Sequence, residues 1–364
     1  MKEGQILVSL ESLHATAKFG ALDPWFLENL VCPRDTLRLI FSDGRLYCSK
    51  GHSYLVLNGV PVMLLEEAPD TLAVMSATVA RAQNKNPSIP NQDDFYLETI
   101  GISEEEREGV LQLAAGGQSE IDPVVSHLVA ATNGIMYKHL ISGLKSYPIP
   151  QLDLPEGNGR LFLDIGCSWG RWSIAAAKKG YLTVGLDPSL GAIMAARRVA
   201  AQLGLPLRFV VGDARYLPFK NHSVETVFSY SVIQHFSYLD AERAIREASR
   251  VLAAKGTCLI QLPNTFGIRC LYHQAKRRFR APRGFEVRYW TPRRMKQIFS
   301  HSFRVQSVSA DCFFGIGLQA ADITMMTVFR RIVIHSSEFA KILSKRVPIL
   351  ARLADSIWIR SVAR

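Results

Sequence analysis

Apolar and polar positions along the chain follow three successive patterns. From Pro24 to Glu67, short apolar runs are broken by turn signals at Ser42-Asp-Gly44 and Asn58-Gly59, which predicts a small β module. From Ala68 to about Glu156 the pattern is polar and helical, with a capping box at Ser103-Glu-Glu-Glu106, and it closes on Pro148, Pro150 and Pro155 as a linker. From residue 157 onward, apolar strands alternate with helices. Strands are predicted at 161–165, 182–186, 207–211, 224–229 and 257–262, with helices at 171–179, 188–203 and 239–252 between them. A sixth strand is read at 302–309 and a seventh from Ile357 to Val362, with basic insertions at 265–296 and 318–353. The expectation is an α/β protein with a doubly wound, mostly parallel, seven-stranded sheet. Its three parts are a β module at 24–67, a helical linker at 68–156 and a catalytic-type domain at 157–364.

Composition changes this picture in one respect. The 364 residues are 48% hydrophobic and 21% charged, which excludes a disordered chain and leaves room for two domains. The net charge is +11, and all of the positive excess lies late. From Pro263 to Arg364 there are 19 Lys and Arg against 5 Asp and Glu. That asymmetry predicts an anionic partner: a phosphorylated or acidic small molecule, RNA, or a membrane surface touched from one side. Met1 to Gly20 lacks the basic start and apolar core of a signal peptide. The six cysteines are scattered rather than framed as disulfides, so a cytoplasmic location is expected.

In a doubly wound sheet, ligands bind beyond the carboxyl ends of the strands. Four such ends carry suitable chemistry. Asp164-Ile-Gly166-Cys-Ser168-Trp-Gly170 is a tight turn feeding a helix, where small residues admit a ligand to backbone N–H groups. Asp187 stands 21 positions beyond Gly166, the spacing of a carboxylate that accepts both hydroxyls of a ribose. In Gly212-Asp213-Ala214, Asp213 is placed to accept from an adenine amino group. Ser229-Tyr230-Ser231 and His235 follow the fourth strand and face the place where chemistry would occur. Gly166-Cys-Ser168-Trp-Gly170 also fits the G-x-S-x-G elbow of α/β-hydrolases, but a hydrolase leaves Asp187 and the Gly212-Asp213 turn unexplained.

Taken together, LFLDIGCSWGRW, VGLDPS, VVGDARYLPF, VFSYSVIQHF and REASRVLAAKGTCLIQLP resemble, from Leu161 to about Asn264, the class I Rossmann-like S-adenosylmethionine-dependent methyltransferases. The closest resemblance is to their small-molecule branch, which includes the ubiquinone and menaquinone enzymes. The resemblance implies S-adenosyl-L-methionine as methyl donor. It places Asp164, Gly166, Ser168 and Gly170 at the methionine end, Asp187 at the ribose, Asp213 and Ala214 at the adenine, and Ser229 among the donor contacts. Two departures are Ser168 at a position that is often glycine, and Lys255-Gly256 where a double glycine is usual.

Methyl transfer from a sulfonium is an in-line displacement, and an oxygen acceptor still has to lose a proton. His235 is the candidate base, Tyr230 a second candidate at the reaction centre, and Tyr137 a candidate closure of the donor site. Arg269 to Lys296 mixes Lys276-Arg-Arg278, Arg280, Arg283, Arg288 and Arg293-Arg294 with Tyr272, Phe279, Phe285, Tyr289 and Trp290, as an acceptor-binding lid would. The helical insertion with Met325, Met326, Phe329 and Ile332 beside Arg330 and Arg331 suits a membrane surface, its own domain or a second subunit.

In the first module, Leu30-Val-Cys32-Pro-Arg-Asp35, Leu46-Tyr-Cys48-Ser-Lys-Gly-His52 and Asn58-Gly-Val-Pro-Val-Met-Leu64 resemble the zinc-ribbon-like activator subunit of tRNA and release-factor methyltransferases. The full ribbon has two C-x-x-C knuckles; here Asp35 replaces one cysteine and His52 lies one residue late. Cys32, Asp35, Cys48 and His52 are the candidate zinc ligands. The leading expectation is methylation of an oxygen or nitrogen on a small-molecule, glycan or lipid-linked acceptor. The alternatives are an RNA methyltransferase of the tRNA type and a donor-binding scaffold without catalysis.

Overall fold

A computed structural model describes residues 22–68, 73–84, 104–116, 120–284, 286–315 and 317–364. Ser103 of the capping box and Phe285 of the lid lie outside the described residues. The first module opens with α1 (Pro24–Asn29), whose Asp23 cap accepts from the Trp25 N–H, and continues through β1 (Leu39–Ser42), β2 (Arg45–Cys48), β3 (Ser53–Leu57) and β4 (Val60–Val62). Three helices follow: α2 (Val74–Asn84), α3 (Glu104–Gly116) and α4 (Pro123–Asn133). Then come β5 (Leu161–Ile165), α5 (Arg171–Lys178), β6 (Leu182–Asp187), α6 (Leu190–Gln202), β7 (Arg208–Val211), β8 (Val224–Tyr230), α7 (Tyr238–Val251) and β9 (Leu252–Pro263). The chain ends with α8 (Ile268–Lys276), α9 (Pro292–Ser302), β10 (Phe303–Cys312), α10 (Val328–Arg346) and β11 (Ser356–Ala363).

The expected sheet of seven strands is a sheet of eleven, in the order β1-β2-β3-β4-β7-β6-β5-β8-β9-β11-β10. The four additional strands are those of the first module. Strand β7 would otherwise be an open edge with unpaired backbone groups, which tends to recruit another strand. Here β4 pairs with it in parallel through Val62 and Val211, and the Met63 N–H donates to the Val211 carbonyl at 2.7 Å. The junction is apolar as well as hydrogen-bonded, because Leu30, Leu57 and Val62 share one buried cluster with Val211 and Phe219. Arg208 of β7 adds an ion pair to Asp23 at 2.8 Å.

Strands β4 to β9 run parallel, while β11 enters antiparallel between β9 and β10. Strand order reverses between β5 and β8, which are parallel neighbours. The loop after β5 therefore opens at the switch point of the sheet. Helix α2 lies against the start of α6: the Thr78 hydroxyl donates to the Pro188 carbonyl at 3.0 Å and accepts from the Leu190 N–H. Among the described residues, no helix is long and apolar enough to cross a membrane.

Candidate functional site

The loop after β5 passes three times through left-handed backbone, at Gly166 (φ +73°), Ser168 (φ +48°) and Gly170 (φ +83°). Gly166 is required twice over, since a Cβ there would lie 2.2 Å from Val232 Cγ2. The same torsion explains why glycine is common at the Ser168 position, and serine accepts the strain here. Ser168 gains a specific partner: its N–H donates to Asp187 Oδ2 at 2.9 Å, while Asp187 Oδ1 accepts from the Ser189 N–H at 3.0 Å. One carboxylate thus holds the loop after β5 and the start of α6 together.

Asp164 lies beneath this loop, 1% exposed, accepting from the Ser173 hydroxyl at 2.7 Å. Burial, opposed by that hydrogen bond and reinforced by the Asp187 charge, pushes its carboxyl up to about 7. A cation arriving over the loop would favour the ionised form.

Asp213 and Ala214 are buried at the end of β7. The Asp213 carboxylate is gripped by Arg215, whose Nε lies 3.0 Å from both oxygens and whose Nη2 lies 2.6 Å from Oδ2. Arg215 also reaches Asp240 at 3.3 Å. This Asp–x–Arg clamp was visible in Gly212-Asp213-Ala214-Arg215, but the sequence reading did not use Arg215.

Two of the expected residues have partners within the protein. Ser229 is wholly buried, and its hydroxyl donates to the Ile165 carbonyl across the β5–β8 ladder at 3.0 Å. The Tyr230 hydroxyl donates to Asp311 Oδ2 at 3.1 Å and accepts from Gln319 Nε2 at 3.1 Å, while its ring packs on Trp172 and Trp358. Burial and the Asp311 charge hold that phenol well above its ordinary value. Strand alternation turned both side chains to partners that strand-end position does not reveal.

His235 is half-buried, with Nε2 3.3 Å from the Gln234 amide nitrogen. An amide NH2 only donates, so this Nε2 is an acceptor and the ring presents a lone pair there. The lid closes over the same segment. Arg288 donates through Nη1 to the His235 carbonyl at 2.9 Å and through its backbone N–H to Gln234. Of the lid aromatics, Trp290 is fully buried against Tyr238, and Tyr289 lies under Arg277. Beside them is an open groove of about 650 Å³ lined by Lys276, Arg277, Arg278, Arg280 and Tyr289.

Tyr137 is fully buried. Its hydroxyl bonds Asp322 and the Gly317 carbonyl, and Arg171 Nη2 reaches Asp322 Oδ2 at 3.0 Å and the Tyr137 hydroxyl at 3.2 Å. Burial works against the Arg171 charge, but Tyr137 and Asp322 outweigh it and hold the guanidinium more firmly protonated than usual. Arg171 is the first residue of α5, directly after the loop at 166–170. This triad escaped sequence reading because Asp322 is 151 positions away.

In the first module the ligand atoms of Cys32, Asp35, Cys48 and His52 all lie within 4.8 Å of one another. His52 Nδ1 is 3.1 Å from Asp35 Oδ2, 3.4 Å from Cys48 Sγ and 3.5 Å from Cys32 Sγ, and Cys48 Sγ is 3.6 Å from Asp35 Oδ2. Bonds to zinc of 2.0–2.3 Å at tetrahedral angles separate neighbouring ligand atoms by about 3.3–3.8 Å. The one-residue lateness of His52 is absorbed by Gly51 (φ +84°) and by a backbone bond from Cys48 N–H to the His52 carbonyl, which turn the longer imidazole back into the cluster.

With this geometry in view, comparison with known proteins adds the lineage. A family model described as a methyltransferase domain matches residues 162–256. A methyltransferase-like protein of Encephalitozoon cuniculi is 32% identical over 157 residues, covering 42% of this chain and 67% of that protein. The chain belongs to the methyltransferase family. Ajmaline N-methyltransferase of Rauvolfia serpentina is 35% identical over 111 residues, or 30% of this chain and 38% of that enzyme. Ubiquinone biosynthesis O-methyltransferase of Azorhizobium caulinodans is 28% identical over 106 residues, or 29% and 41%. The aligned part of this methyltransferase-family chain thus spans about two fifths of these two enzymes. Their alignments are too short to carry an acceptor across.

Proposed function

We propose that the protein moves a methyl group from S-adenosyl-L-methionine to an oxygen or nitrogen of a small-molecule, glycan or lipid-linked acceptor, as the small-molecule branch of the family does. The carrying observation is the loop 166–170 locked to Asp187 through the Ser168 N–H, at the switch point of the sheet. Asp187 would hold the ribose, and Asp164 supplies the anion beneath the donor's cationic end. The Gly212–Ala214 turn would meet the adenine edge, with Asp213 fixed by Arg215. The acceptor atom attacks the methyl carbon in line as the sulfur–methyl bond breaks, sulfur keeps the electron pair as a neutral thioether, and the acceptor's proton leaves. His235 Nε2, on the segment after β8, is our candidate to take that proton once the Gln234 amide that donates to it has turned away. Much of the rate then comes from alignment.

The test is incubation of the full chain and labelled donor with small-molecule, glycan, lipid and RNA fractions. Label in one of the first three supports the reading. Label in RNA alone redirects the acceptor, and label in none removes the activity.

The four side chains of the first module fit zinc, and we propose that they hold one ion there. The site has four protein ligands and so serves structure, cross-linking the turn at Cys32–Asp35 to the turn at Cys48–His52. The expected result is about one zinc per chain by elemental analysis, reduced by Cys48→Ser. A strong chelator should lower the melting temperature of the intact protein and leave that of the Cys48→Ser variant nearly unchanged. Metal-free protein whose melting ignores chelator would remove the site.

A further inference from the structure

Helix α10 presents its apolar stripe outward. Val328, Ile332, Phe339, Ile342 and Leu343 recur at helical spacing on one face, and all are exposed, Phe339 at 69% and Ile342 at 58%. The opposite face, at Ile334, Ser337 and Ser344, is the buried one. This inverts the usual arrangement of a surface helix, whose apolar stripe faces the core. Helix α8 does the same, exposing Ile268, Leu271 and Tyr272, with Phe266 exposed just before it. Both helices are tied to the segment at Phe313–Phe314. Asp355, just beyond α10, accepts from the first N–H groups of α8 at Arg269 and Cys270. Arg269 reaches the Phe314 carbonyl, and Ser337 of α10 accepts from the Phe313 N–H. Ile349 and Leu353, in the turn that follows α10, are exposed as well.

Cations surround this area. Lys276 and Arg278 at the end of α8, and Lys345, Arg346 and Arg352 at the end of α10, form no ion pair among the described residues. Exposed aliphatic side chains framed by free cations match the interface of an anionic bilayer, which takes apolar groups below its headgroups and attracts Lys and Arg to them. A second copy of the chain fits less well, because pairing this face with itself would press two basic surfaces together. RNA would use the cations and aromatics but leave Val328, Ile332 and Ile342 without a partner.

We propose that the α8–α10 face docks on a membrane surface rich in anionic lipid. Helix α8 follows the carboxyl end of β9, at the same end of the sheet as the loop after β5, so docking brings that end toward the lipid. An amphiphilic acceptor entering from the bilayer would follow; that further step rests on the methyl-transfer reading, whereas docking does not.

The experiment is co-flotation of the full chain with vesicles of phosphatidylcholine alone and of phosphatidylcholine mixed with phosphatidylglycerol. Binding is expected only to the mixed vesicles and is expected to weaken as salt is raised. The pair Phe339→Asp with Ile342→Asp, and separately the pair Lys345→Glu with Arg346→Glu, should each weaken it about tenfold or more. All four positions are exposed, so melting temperatures should match the parent, and the salt series on unaltered protein gives a second readout. The proposal is overturned by absence of binding to the mixed vesicles, or by binding that neither pair weakens. It is equally overturned if, without vesicle binding, light scattering shows a dimer split by the Phe339/Ile342 pair, or an oligoribonucleotide binds and is released by the Lys345/Arg346 pair.

Discussion

Asp187→Ala is expected to weaken binding of S-adenosyl-L-methionine roughly a hundredfold, with folding largely retained. The carboxylate stands at the end of β6 and receives the Ser168 and Ser189 N–H groups, one on each oxygen. In the donor complex this carboxylate would accept from the ribose hydroxyls, and a hydrogen bond to a charged group contributes about 1.5–3 kcal/mol. Alanine removes both of those and also releases the Ser168 N–H, so the loop after β5 loses its anchor as the donor loses its clamp. Asp187→Asn keeps one acceptor oxygen and should fall between, at about tenfold. Titration calorimetry with the donor decides it: an unchanged dissociation constant in the alanine variant would remove Asp187 from the donor site.

The largest expected loss of stability comes from Arg171→Ala, roughly 3–5 kcal/mol. Asp322 is fully buried, and Arg171 is the cation that offsets its charge. Truncation leaves a carboxylate in the interior with, among the described residues, the Tyr137 hydroxyl and the Gln319 N–H as its remaining partners. It also frees the Pro148 carbonyl, which accepts from Arg171 Nε at 2.8 Å. At about 2 °C or more per kcal/mol for a chain of this size, the melting temperature should fall by about 6–10 °C. Asp322→Asn combined with Arg171→Met should be milder than Arg171→Ala alone, because it removes the charge along with its partner. A double substitution at least as damaging as the single one would show that charge pairing is not what Arg171 contributes. Because Arg171 begins α5, the single variant should also disturb the donor loop, seen as weaker donor binding at temperatures where the protein remains folded.

The two readings differ in how far sequence could reach. The alternation of strands and helices from Leu161 to Pro263 was legible because each element satisfies its own periodicity. Gly166 and Gly170 were legible because a tight turn at a strand end needs left-handed backbone at those positions. Asp187 could be placed because the end of a strand in a parallel sheet fixes where its side chain emerges. The grouping of Cys32, Asp35, Cys48 and His52 could be suspected from ligand types and spacing, although only the fold shows that Gly51 lets the late histidine reach the others. The partners of Ser229 and Tyr230 were not legible, since proximity to a strand end does not say which face a side chain takes or which partner waits there.

By itself, then, the sequence determined the parts of this protein that depend on short-range backbone geometry: the parallel core, the tight turn at 166–170, the carboxylate that follows it, and the basic excess of the last hundred residues. Tertiary structure alone decided whatever depends on segments distant along the chain. Strand β4 extends seven strands to eleven by covering the β7 edge, and the Arg171–Asp322 pair ties an insertion to the donor loop. The orientation of α10 belongs with these. Its amphipathic pattern is local, but which face meets the core is set by the neighbours that bury Ile334 and leave Phe339 in solvent. Local torsions and periodicity are written residue by residue, whereas a choice of partner is made only when the chain closes on itself.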